Sequence, residues 1–149
     1  MAKKTYKGRP VLPGELTGKA LVSREPFNTT VSYIDNLFGG VTDKAPCTDS
    51  DNKELYGTDL SGMILCTPQT IGSTMGGIAL IGVAELGVGP KAMLFSSHID
   101  SLSAAGLVIE DVWNEKRIIT IDQLGDEFMK SVNTGDPIAI HEDGTVEVG

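Results

Sequence analysis

The run Leu65-Cys66-Thr67-Pro68-Gln69-Thr70-Ile71-Gly72-Ser73-Thr74-Met75-Gly76-Gly77-Ile78 constrains this chain more than any other segment. An apolar strand over residues 61–67 empties into a loop of glycines and hydroxyls, and the pattern restarts as a helix over 78–86. Gly87 and Gly89-Pro90 stop that helix, and Ala92-Met93-Leu94-Phe95 is the next strand. Strand, loop, helix and strand together have the length of a crossover unit. The two strands are therefore expected to be parallel, with the loop at the carboxyl end of the first. Ligands of open α/β sheets gather at that end.

The loop has chemistry of its own. Gly72, Gly76 and Gly77 let the backbone approach a ligand without a Cβ in the way, while Thr70, Ser73 and Thr74 supply hydroxyls. Backbone N–H groups at the start of a helix favour a carboxylate or another anion. None of the common signatures is spelled: a P-loop needs Lys before its Ser/Thr, a dinucleotide fold needs G-x-G-x-x-G, and a nucleophile elbow needs G-x-S-x-G. Two readings stay open for Ser73, a cap of the following helix and part of a ligand site.

With 149 residues the chain suits one domain, 1–149, in which residues 1–17 are expected to form a partly flexible extension. A net charge of −8 with scattered basic residues argues against nucleic acid. Lys3, Lys4, Lys7 and Arg9 are followed by no apolar stretch, so neither a signal peptide nor a membrane span is read, and a cytoplasmic location is expected. Cys47 and Cys66 lack a C-x-x-C partner or nearby histidines, too few ligands for a metal centre. Cys66 reads as a small core residue and Cys47 as an inert surface thiol in a polar loop.

Elsewhere, residues 18–23 read as a strand ended by Pro26, residues 27–38 as irregular, and Gly39-Gly40-Val41-Thr42-Asp43 as a glycine-rich turn. Residues 43–56 read as an exposed loop. A helix over 100–111, a strand over 117–121 and a closing hairpin through Asp143-Gly144 complete the α/β pattern. His98 ends a strand and can either face the Ser73 loop or bond nearby backbone; His141 is read as packing only. Asp100, Glu110 and Asp111 form an acidic edge that reads as a solvated face or helix cap.

Gly39-Gly40-Val41-Thr42-Asp43, Leu60-Ser61-Gly62-Met63-Ile64-Leu65, Gly72-Ser73-Thr74-Met75-Gly76-Gly77, Gly89-Pro90-Lys91-Ala92 and Ser103-Ala104-Ala105-Gly106 occur in this order. The series resembles the small subunit of aconitase X, and the likeness runs from Gly18 to Val148. The resemblance implies a swivelling β/β/α domain with a mixed sheet and flanking helices, closing over a separate large subunit that holds an iron–sulfur cluster. It further implies a hydro-lyase that dehydrates a hydroxy acid. Ser73 matches the base, and Gly39, Gly40, Gly72 and Thr74 match the groups that hold the substrate. Of the family's substrates, the acidic chain favours cis-3-hydroxy-L-proline over mevalonate 5-phosphate, whose dianion prefers a basic pocket. A non-catalytic anion-binding or regulatory module is the alternative from a different class.

Overall fold

The computed structural model describes residues 2–149. Strands β1 (Lys4–Lys7), β2 (Arg9–Leu12), β3 (Leu16–Val22) and β4 (Phe27–Asn28) lead into two single helical turns, α1 (Thr29–Ser32) and α2 (Ile34–Leu37). Then follow β5 (Ile64–Thr67), β6 (Thr70–Ile71), α3 (Gly76–Glu85), β7 (Ala92–Phe95), α4 (Ser101–Trp113), β8 (Ile119–Asp122), α5 (Asp126–Ser131), β9 (Pro137–Ile140) and β10 (Thr145–Val148).

Eight of these strands form one sheet in the order β1-β10-β9-β3-β5-β7-β8-β2, and β4 pairs with β6 separately. Strands β3, β5, β7 and β8 are mutually parallel, as the crossover length requires, while β9, β10, β1 and β2 pair antiparallel. β1 and β2 occupy opposite edges of the sheet yet are separated in sequence by Gly8 alone. The sheet must therefore curl until its edges nearly meet. Gly8 marks the seam: its N–H donates to Gly144 O at 3.0 Å, and a Cβ there would lie 2.5 Å from Asp122 O.

Alternation along the strands sorts the core into two clusters. Leu21, Leu65 and Met93 join Leu80, Val83 and Leu107 of the helices. Ala20, Val22, Ile64, Cys66 and Leu94 point the other way, onto Phe128 of α5 and Ile138, Ile140 and Val146 of the closing hairpin.

Several expectations need correction. Within residues 1–17, expected as a partly flexible extension, Lys4–Lys7 and Arg9–Leu12 form β1 and β2 at the two edges of the curled sheet, and Leu16 starts β3. The stretch read as irregular contains α1 and α2; Asn28 starts the first by accepting from Val31 N at 3.3 Å. Helix α5, six residues long, is too short to show a helical period in the sequence. Residues 43–56 are not a simple exposed loop: Ala45, Cys47 and Leu55 are buried, while Asp59 and Asn36 hold the backbone through Ala45 N, Val41 O and Lys44 O. Cys47 is therefore a core residue and not a surface thiol.

Candidate functional site

The carboxyl ends of β5, β7 and β8 open into three loops that bond one another. Ser97 N donates to Pro68 O at 3.1 Å, Gln123 N to Ser97 O at 2.9 Å, and Gly125 N to Ser96 O at 3.0 Å. The Ser73 loop is the first of them, at the end of the sheet where the sequence places it.

Gly72 takes φ +117°, and a Cβ there would also meet Asn28 Oδ1 at 2.6 Å, so conformation and space both demand glycine. Ser73 and Thr74 are exposed. Ser73 Oγ accepts from Met75 N at 3.2 Å and lies 3.4 Å from Thr30 Oγ1. Met75, and not Ser73, is the residue flanking α3, and no side chain caps that helix. The serine thus tightens its own turn and leaves its hydroxyl open to solvent.

Beneath the loop, Asp100 ties β6 to the start of α4. Its carboxylate accepts from Thr70 Oγ1 and, as the cap of α4, from Ser103 N at 2.9 Å; Thr70 Oγ1 and Ser103 Oγ are 3.0 Å apart. Burial opposes ionisation of Asp100, but the hydrogen bonds from Thr70 and Ser103 outweigh it and hold the carboxyl below the usual carboxylate range. Asp122, buried and bound twice by Arg9, reaches Ile99 N at 2.9 Å and so fixes the segment leading to Asp100. The cap reading of Asp100 holds. Its link to Thr70 was not visible in sequence, since thirty residues separate the two.

Gly77 and Gly106 let α3 and α4 touch through their backbones; a Cβ on either would strike the other helix, at Leu102 O or Gly77 O. Asn28 and Thr30 were missed as neighbours of Ser73, although Asn28-Thr29-Thr30-Val31 carries a recognisable cap signature.

Gly39 and Gly40 share no hydrogen bond with the Ser73 loop among the described residues. They follow α2, whose Leu37 lies against Gly82, six residues and ~9 Å along α3 from Gly76. The Gly39 N–H is already given to Asp35 O at 3.1 Å. His98 is exposed beyond β7 and makes no hydrogen bond among the described residues. His141 does more than pack: it pairs with Glu147 at 2.6 Å, which raises its pKa. Glu110 is buried, with Asn114 on one oxygen, and Asp111 is paired with Arg117, so neither reads as a simple solvated edge.

Cys47 and Cys66 sit in the two separate core clusters, and burial pushes both thiols up. Among the described residues no three His, Cys, Asp or Glu side chains gather as a metal site. These residues do not fit an iron–sulfur cluster, which needs several thiolates at one place. No helix among the described residues is long and apolar enough to cross a membrane.

Residues 5–148 match the model of the aconitase X swivel domain. The phosphomevalonate dehydratase small subunit of Archaeoglobus fulgidus is 30% identical over 141 residues, covering 94% of this chain and 95% of that one. Its namesake from Aeropyrum pernix is 31% identical over 144 residues, 96% and 92%. The holo-form crystal structure of Thermococcus kodakaraensis aconitase X superposes with a TM-score of 0.78 at 25% identity, covering 98% of each chain.

Proposed function

Because this chain belongs to the aconitase X swivel domain family, we propose that it is the small subunit of a dehydratase that removes water from a hydroxy acid, working with a large subunit. One observation carries the site: the exposed Ser73 hydroxyl, fixed by Met75 N–H and Thr30, at the start of α3 and at the carboxyl end of the parallel strands.

In this reading Ser73 Oγ takes the proton from the carbon beside the substrate carboxylate. An ordinary serine hydroxyl is far too weak an acid to yield such a base at neutral pH. The Met75 N–H bond and the positive end of α3 both favour the oxyanion. The remaining stabilisation is assigned to cations of the large subunit; an iron–sulfur cluster, for which this chain lacks the ligands, would when bound there act as Lewis acid on the hydroxide that leaves as water. Gly72 and Thr74 are the proposed carboxylate contacts. Gly39 and Gly40 stay candidates for the far end of the substrate, with the Gly40 N–H as donor, since that of Gly39 is occupied.

The substrate proposed is mevalonate 5-phosphate, supported by the names of the relatives. One observation favours cis-3-hydroxy-L-proline as a second reading: residues 26–43 and 60–84, which build the site, contain no Lys or Arg, an environment kinder to an ammonium group than to a phosphate dianion. Anaerobic turnover of each compound by the complex with its large subunit, followed by the ultraviolet absorbance of the unsaturated carboxylate from mevalonate 5-phosphate and by detection of the cyclic imine from hydroxyproline, separates them. Turnover of neither would refute the dehydratase assignment.

A further inference from the structure

The outer face of α4 is an anomaly for an acidic chain. Leu102, Ile109, Val112 and Trp113 fall on one stripe by helical spacing, all more than a third exposed, with Val112 at 64% and Trp113 at 81%. Residues 101–109 contain no charged side chain, and neither do residues 60–84. Ile78 on α3 is 62% exposed, and Met75 is exposed beside Ser73. A shallow groove between the helices joins these surfaces: Thr74 lines it at one end, with Ile78 and Leu102, and Ile109 lies further along. With side-chain areas of the usual size, the stripe and its flanks expose on the order of 600–800 Å² of apolar surface. That exceeds what a monomer ordinarily shows and approaches the ~800 Å² that each partner contributes to a stable interface.

We infer that this apolar face of α3 and α4 is where the large subunit docks. The inference rests on the dehydratase reading, because it uses Ser73 as the base. A base on one subunit and leaving-group chemistry on another must reach the same small molecule, so the large subunit's surface must come within a few ångströms of Ser73. The apolar groove starts at the next residue, Thr74. Docking along it buries the stripe, excludes water from the loop and aims the Ser73 hydroxyl into the interface. A second copy of this chain is the other possible occupant. It is disfavoured because a self-paired face would shut Ser73 against a second Ser73, with no cation on either side.

Trp113 is the sole tryptophan, so replacement by 5-fluorotryptophan gives a single ¹⁹F resonance. On titration with unlabelled large subunit, the resonance should shift and its H₂O/D₂O solvent isotope effect should fall. Val112→Asp should weaken the complex by on the order of tenfold to a hundredfold, whereas Lys130→Glu on exposed α5 should leave affinity unchanged. Complex formation with an unmoved, fully solvated Trp113 overturns the docking face and leaves the dehydratase reading standing. Absence of any complex overturns both. A resonance that shifts only with the concentration of this chain identifies a second copy as the occupant and overturns the inference.

Discussion

Gly106→Ala is expected to lower the melting temperature even though alanine is the better helix former. In a helix interior the exchange gains about 1 kcal/mol from propensity. At Gly106, however, the new Cβ would press into the Gly77 carbonyl and stand 2.6 Å from Gly77 Cα. That neighbour is backbone, so no side chain can swing aside, and the overpacking cost belongs at the upper end of the usual range, roughly 3 kcal/mol. The net loss is about 2 kcal/mol, or roughly 4–8 °C in Tm for a chain of this size. Gly82→Ala in α3 is the matched control: its Cβ meets only Leu37 Cδ2, the flexible end of a side chain, at 3.0 Å. There propensity prevails, and Tm should stay level or rise by about 1–2 °C. Differential scanning calorimetry with urea titration of the three proteins gives the comparison. If Gly106→Ala matches Gly82→Ala in sign and size, the close backbone crossing is not what holds α3 and α4 together.

The Arg9 bond keeps Asp122 below the usual carboxylate range despite burial, so its stabilising contribution is complete above the unfolded carboxyl pKa and is lost as pH falls through the lowered folded value. Melting temperature should therefore fall as pH drops below about 4, and Asp122→Asn should flatten that slope while lowering Tm at neutral pH; an unchanged slope would contradict it. Both thiols, buried with raised pKa values, should resist iodoacetamide in the native chain and react after guanidinium unfolding. Rapid native labelling of Cys47 would show that the 45–60 segment opens. A Cys47→Ser, Cys66→Ser double variant that stays folded should leave the iron absorption of the complex intact, and loss of that absorption would place a cluster ligand on this chain.

The parallel pair β5 and β7, helix α3, the closing hairpin and the position of the Ser73 loop were readable because each follows from periodicity and glycine placement within about thirty residues. The curled sheet was not. Its closure depends on β1 and β2 reaching opposite edges, and nothing in Lys4-Thr5-Tyr6-Lys7 or Arg9-Pro10-Val11-Leu12 names its partner. Residues 43–56 misled for a related reason: their polar side chains look solvated in sequence but are spent on the backbone of a segment whose Ala45, Cys47 and Leu55 enter the core. Ser73, Gly72 and Thr74 stand out as candidates from the motif alone, which leaves Ser73 open between a helix cap and a ligand site. The Asp100–Thr70 link joins loops of different strands and becomes visible only once the sheet sets them side by side.

Ser73 is proposed to act on a proton and not merely to shape a turn. Its hydroxyl bond to Met75 N is the only local contribution that Ser73→Ala removes apart from the long approach to Thr30, so the stability cost should be about 1 kcal/mol or less. Loss of a general base should lower kcat on the order of a hundredfold or more. Thermal stability and kcat measured on one preparation of the Ser73→Ala complex with its large subunit make the decisive test. A complex that melts near the wild-type temperature with kcat reduced at least a hundredfold is the predicted result, and a destabilised complex with wild-type turnover per folded molecule would contradict the account.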